Sequence, residues 1–222
     1  MTLPLLSLLE TRILGVLVEK QLTVPDTYPL TLNALVAGCN QKSSRDPVIE
    51  ATEAEVQSAV DRMKSLSLVV ESSGGRVMRY AHNVQRVLGV PSQAVALLAM
   101  LMLRGPQTAG ELRIHSDRLH RFSDISAVEG FLDELRERAD GALVLELPRQ
   151  AGARETRWTH LLSGAPVVAS PMEAESEAPA PADGVAVGEV AALRAAVDDL
   201  RAQIAAMRSD VDRLLSELGI SR

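Results

Sequence analysis

The stretch from Thr52 to His82 constrains this chain most, because its periodicity changes once and sharply. Thr52 and Glu55 form a T-x-x-E capping box: the threonine hydroxyl accepts from the N3 amide, and the glutamate carboxylate accepts from the N-cap amide. Val56, Val60 and Met63 then recur on one helical face, with Ala59 beside them. Past Leu66 the pattern becomes that of a strand, Ser67 to Glu71. Gly74-Gly75 tolerates the positive φ of a tight turn, and Val77 to His82 returns as the partner strand. A helix followed at once by a hairpin is the second half of a winged helix-turn-helix, a plan used mainly to grip nucleic acid and sometimes to grip protein.

The residues before it supply the first half. Ser7-x-x-Glu10 caps a helix carrying Leu9, Ile13, Val16 and Leu17, with Lys20 able to lay its stem on the core. Pro25 and Pro29 punctuate a loop. A short helix is expected from about Leu30 to Cys39, with Leu32, Leu35, Val36 and Cys39 on its apolar face, and Asn40 to Pro47 is a polar connector. Residues 1–84 therefore read as one winged-helix domain.

The same order recurs over residues 85–163. Ser92 begins an apolar helix, Ala94 to Leu103, which Arg104-Gly105-Pro106-Gln107 ends. Thr108 and Glu111 make a third capping box and open a short helix through Ile114. The connector His115 to Ser123 leads to a helix with Val128, Phe131, Leu132 and Leu135 inward, then to strands Ala142 to Leu147 and Glu155 to Leu161. Arg79-Tyr80-Ala81-His82 matches Arg157-Trp158-Thr159-His160 in position. Element order, capping and hairpin placement point to a structural duplication.

Aromatic residues make up only 2% of the chain, so the cores must be built from Leu, Val, Ile, Ala and Met. The single cysteine, Cys39, excludes an internal disulfide framework and suits the reducing cytoplasm. Neither a membrane span nor a signal peptide is expected: no apolar run reaches eighteen residues, and Leu3 to Leu9 lacks a basic flank. The net charge of −6 is uneven. Residues 1–163 hold 18 Lys+Arg and 19 Asp+Glu, while residues 164–222 hold 5 and 10. Overall acidity disfavours non-specific DNA binding, although a local basic patch matters more.

Residues 164–186 mix Pro166, Pro171, Pro179 and Pro181 with Glu173, Glu175 and Glu177, the composition of a disordered linker. As a coil it would span roughly 25–30 Å. Residues 187–219 read as a coiled-coil helix. Val190, Leu193, Val197, Leu200, Ile204, Met207, Val211, Leu214 and Leu218 alternate steps of three and four. β-branched residues at a with Leu at d favour a parallel homodimer, and Arg194, Arg201 and Arg208 fall at e. The other reading is one amphipathic helix docked on its own domains. The fold class expected is thus mainly α with small β hairpins (α+β): tandem winged helix-turn-helix domains plus a C-terminal coiled-coil helix.

Longer strings carry a family resemblance. Pro25-Asp26-x-Tyr28-Pro29-Leu30-Thr31-Leu32-Asn33, Cys39-Asn40-Gln41-Lys42-Ser43-x-Arg45-Asp46-Pro47-Val48 and Leu103-Arg104-Gly105-Pro106-Gln107-Thr108 are similar to the signature of the YceH-like family of bacterial proteins. Gly110-Glu111-Leu112-Arg113 and Trp158-x-His160-Leu161 agree with it. The resemblance covers about residues 5–164 and implies a tandem winged-helix fold. It implies little about activity.

Candidate nucleic-acid contacts lie mainly in the second half. Arg113, His115, Arg118, His120 and Arg121 cluster before its third helix, and Arg149, Arg154 and Arg157 lie on its hairpin. Guanidinium forks suit phosphate oxygens, and in a winged helix these two places face one side. The competing reading is a solvated loop paired to Asp117, Asp124 and Glu155. In the first half Gln41, Lys42 and Arg45 have base- and phosphate-reading chemistry. The following helix carries Glu53, Glu55 and Asp61, however, so a structural or partner-facing role for Asn40 to Pro47 ranks above base readout. His82, His115, His120 and His160 have no metal-ligand spacing, Cys39 sits on an apolar face, and Gly74-Gly75 opens no helix. No enzyme, cofactor or metal is expected. The primary expectation is a cytoplasmic, dimeric winged-helix protein that binds double-stranded DNA as a transcriptional or nucleoid-associated regulator. The alternative is an adaptor whose winged helices bind protein partners.

Overall fold

The computed structural model describes residues 4–73, 77–149 and 152–166. The linker from residue 167 onward and the heptad seam Val190 to Leu218 lie outside the described residues. The chain divides into units 1–169 and 170–222, and all the described residues belong to the first.

Two helices form its centre. Helix α1 (Leu8–Thr23) starts at the Ser7 capping box, with both reciprocal hydrogen bonds made, and is buried on every side from Glu10 to Val18. Helix α5 (Ser92–Arg104) is buried throughout from Ala94 to Leu103. They pack on each other, and Gly15 permits the approach. A Cβ at Gly15 would lie 2.8 Å from Leu103 Cγ and 3.4 Å from the Ala99 carbonyl oxygen. A helix buried all round needs partners on several faces, and each half supplies some.

In the first half, β1 (Leu30–Thr31) precedes α2 (Leu32–Cys39), α3 (Glu53–Ser65) and the hairpin β2 (Val69–Ser72) and β3 (Arg79–His82). The three strands are antiparallel in the order β1-β3-β2. The helix expected from Leu30 starts two residues later, because Leu30 pairs with Tyr80 and Thr31 with Arg79. Thr31 then caps α2 by accepting from the Ala34 amide. The Thr52–Glu55 capping box opens α3 as expected, and Val56, Val60 and Met63 are fully buried. A short helix α4 (Val84–Leu88) leads to α5.

In the second half, α6 (Ala109–His115), α7 (Ile125–Arg136) and the hairpin β4 (Val144–Leu147) and β5 (Arg157–His160) follow. The Thr108–Glu111 capping box is complete, and Asp124 caps α7 by accepting from the Ala127 amide. Gln107 bridges Trp158 through two backbone hydrogen bonds of 2.7 and 3.0 Å, where Leu30 bridges Tyr80 in the first half. Tyr80 and Trp158 are both buried. The repeat read from element order therefore extends to strand register. One apolar cluster runs from Leu6 to Leu162 through both halves. No helix among the described residues is long and apolar enough to cross a membrane.

Polar contacts lock the halves together. The Asp46 amide donates to the Leu103 carbonyl at 2.8 Å, and Arg104 donates to Ser44 Oγ at 2.7 Å. Gly105 turns the chain out of α5 at φ 70° and ψ −157°, a conformation that glycine adopts without a Cβ clash. The strings that carry the family resemblance, Cys39 to Val48 and Leu103 to Thr108, thus meet at one junction.

Candidate functional site

The first connector is occupied by structural work. Asn40 closes it on Ala51, donating to the carbonyl and accepting from the amide, both at 2.8 Å. Gln41 folds back on Ser43. Arg45 corrects the expectation of a phosphate contact, because its side chain is fully buried. It donates to Glu19 in a bidentate pair of 3.2 and 2.6 Å and to the carbonyls of Gly38 and Ser44. Beside it, buried Arg12 donates to the Cys39 and Pro47 carbonyls and leaves its Nε without a partner. Burial pushes the Glu19 carboxyl up, but hydrogen bonds and charge from Arg45, aided by Lys20, hold it below the usual carboxylate range. The Cys39 thiol is buried and pushed up to about 12, so it stays protonated. Of the three expected contacts Gln41, Lys42 and Arg45, Lys42 alone stands exposed.

In the second half the expected cationic residues lie in three different settings. Arg157 donates to the Pro106 carbonyl at 2.7 Å and to Glu111 at 3.0 Å, and His115 Nδ1 lies 2.6 Å from Gln107 Oε1. Both line a junction cleft with Ser44 and Arg104, so Arg157 is spoken for by its own neighbours. Arg113, Arg118 and Arg121 project into solvent from α6 and its connector, with Arg121 3.9 Å from Asp117. His120 packs edge-on against Phe122, ring centroids 4.6 Å apart. Arg149 and Arg154 instead line a groove of about 630 Å³ between α7 and the β4–β5 hairpin.

This groove has a built floor and two walls. Ile125, 44% exposed, and the buried face of Trp158 form the floor. Arg136 lies over the Trp158 ring at 5.4 Å and is held by Asp133 at 2.8 Å and Glu146 at 3.2 Å. Thr156 donates to the other oxygen of Glu146 at 2.6 Å. The α7 wall carries Glu129 and Asp133, and the hairpin wall carries both signs, Arg149 and Arg154 with Glu146 and Glu155. The sequence hid this site because its parts lie in α7 and beyond β4, joined only by the fold. The one local signal was exposed Ile125 at the first position of a helix.

Both third helices turn acid toward solvent. Helix α3 exposes Glu53, Glu55 and Asp61, while its Arg62 pairs with buried Glu10 and its Lys64 with Asp61 and Glu71. Helix α7 exposes Glu129 and Glu134, while its only basic residue, Arg136, is tied as described.

The matched histidines give a pH prediction. Burial lowers both His82 and His160 from 6.5 to about 4. His82 accepts from the Val84 amide through Nδ1, and its Nε2 lies 2.6 Å from Gln21 Oε1, which suits the neutral ring. The unfolded chain binds these protons near pH 6.5, so the stability they support is complete above that pH and lost as pH falls toward 4. The urea midpoint should therefore drop between pH 6.5 and 4, with one proton taken up per histidine on unfolding. The double variant His82→Asn/His160→Asn should flatten that window; an unchanged slope would assign the effect elsewhere.

A family model described as a protein of unknown function, DUF480, matches residues 6–153. The chain belongs to the DUF480 family. Among its relatives, a UPF0502 protein of Leptothrix cholodnii is 61% identical over 212 residues, covering 96% of this chain and 95% of the relative. A UPF0502 protein of Dechloromonas aromatica is 60% identical over 206 residues, with 93% and 94% covered. One from Methylibium petroleiphilum is 58% identical over 218 residues, with 98% and 92% covered. These spans reach past residue 166, so the likeness to these relatives extends into the tail, beyond the stretch the sequence strings had marked. The bacterial family expected from those strings is the family shown.

Proposed function

We propose that the two halves are winged helix-turn-helix units and that this DUF480 protein is a protein-interaction adaptor. The acidity of both third helices carries the reading. In a winged helix the third helix lies against the ligand, and α3 and α7 offer carboxylates there, with their basic residues paired internally. Carboxylates facing phosphates repel, and nothing on these helices offsets that. The polar junction and the shared core hold the halves as one body, which suits a scaffold presenting two faces at a set spacing.

A second reading, DNA binding in a regulatory role, rests on Lys42, Arg113 and Arg118. All are exposed, and none has a carboxylate within 4 Å among the described residues. Titration of mixed-sequence duplex at low salt separates the two. The adaptor reading expects no saturable binding. Binding whose affinity falls linearly in log–log form with salt, with a slope reduced in Arg118→Ala, would establish the DNA reading instead.

A further inference from the structure

We infer that the cleft at the junction of the two halves binds a free α-amino acid, with its carboxylate on Arg104 and its ammonium on Asp46. This goes beyond the adaptor reading and does not rest on it. The cleft holds about 290 Å³, near the lower limit of roughly 300 Å³ for small-molecule sites, which suits a ligand of amino-acid size. Backbone hydrogen bonds set its place. The Asp46 amide donates to the Leu103 carbonyl at 2.8 Å, and the Gly105 amide donates to the Leu101 carbonyl at 3.0 Å. Exposed Asp46 and half-buried Arg104 therefore line one cleft, yet no ion pair within 4 Å joins them.

Most polar groups of the cleft are already spent. Arg45 is buried against Glu19, and Arg157 donates to Glu111 and to the Pro106 carbonyl. The other oxygen of Glu111 accepts from the Thr108 amide. Gln107 donates through Nε2 to the carbonyls of Met100 and Gly105, at 3.0 and 3.2 Å, so its Oε1 must be the acceptor. His115 Nδ1 therefore carries the proton in its 2.6 Å contact with Gln107. Burial and then the Arg104 charge lower the His115 pKa against the pull of Glu111, so the ring is neutral near pH 7 and offers Nε2 as an acceptor. Arg104 itself donates through Nη2 to Ser44 Oγ at 2.7 Å. Among the described residues, what remains open is the Asp46 carboxylate, His115 Nε2, the Ser44 hydroxyl proton, and Nε and Nη1 of Arg104. That set is two acceptors, one guanidinium and one hydroxyl donor. A plain anion gains Arg104 but is repelled by Asp46, and a plain cation meets the reverse. An α-amino acid brings two oxygens to Arg104 and Ser44 and three N–H donors to Asp46 and His115, so each open group gains a partner.

The probes are the proteinogenic amino acids, each titrated by calorimetry into the full-length protein at low salt and neutral pH. At least one should bind with millimolar affinity or better. Its deaminated acid and its decarboxylated amine should each bind at least about tenfold more weakly, the loss of one charge-assisted contact. Asp46→Asn should bring the acid level with the amino acid. The Asp46 side chain makes no hydrogen bond among the described residues, so this variant keeps the fold. Arg104→Met should instead bring the amine level with the amino acid; if loss of the Ser44 contact unfolds it, Asp46→Asn decides alone. In imidazole nitrogen NMR, the His115 Nε2 resonance should move on saturation, which binding elsewhere on the protein does not produce. Failure of every amino acid to bind, equal affinity for amino acid, acid and amine, a selectivity unmoved in Asp46→Asn, or a still His115 resonance would each overturn the assignment. The duplex titration reads the adaptor proposal separately, so failure here removes this cleft and leaves that proposal standing.

Discussion

Glu19→Ala is expected to lower the unfolding free energy by about 3 kcal/mol, the lower end of the range for breaking a buried ion pair. Arg45 is the reason. Its side chain is fully buried, that of Glu19 is 14% exposed, and the pair is bidentate. Removing the carboxylate strands one guanidinium beside another, because buried Arg12 also lacks a carboxylate within 4 Å among the described residues. The loss corresponds to a fall in melting temperature of roughly 6–12 °C for a domain of this size. Urea unfolding checks it. The double variant Glu19→Met/Arg45→Met should recover most of the loss, since the large term is the uncompensated charge rather than the pair itself. A double variant as unstable as Glu19→Ala would show that the carbonyl contacts of Arg45, not its charge, hold the connector.

Gly15→Val should cost about 3 kcal/mol, at the upper end of overpacking effects. Its Cβ would stand 2.8 and 2.9 Å from Leu103 Cγ and Cδ2, inside contact distance, and Leu103 is fully buried with no open side to move into. Helices α1 and α5 must then separate, which strains the junction where Asp46 meets Leu103 and Arg104 meets Ser44. Leu103→Ala in the Gly15→Val background should be less damaging than the sum of the two single changes, because the truncation removes the clashing atoms. Additive losses in a double-mutant cycle would place the damage outside this crossing.

Both predictions concern contacts that sequence reading could not pair. Arg45 and Glu19 are 26 positions apart, and nothing in either neighbourhood joins them. As a string, Asn40 to Pro47 has the chemistry of a base reader; folded, it is a connector closed on Ala51, Glu19 and Leu103. The same limit applied to β1 and to Gln107. Two residues carry no period, and their strand character exists only against Tyr80 and Trp158.

Local chemistry, by contrast, was legible from the chain alone. The partners in the three capping boxes at Ser7, Thr52 and Thr108 are three positions apart, so they are close in sequence as well as in space. The apolar periods of α3 and α7 are equally local, and the matched order of helices and hairpins in the two halves followed from them. Tertiary structure alone decided which charges remain free. A side chain's sign is written in the sequence, but its availability depends on burial and on partners tens of residues away. That is why buried Arg45 and paired Arg157 left the set of free cations, while Glu129 and Arg154 came to line one groove.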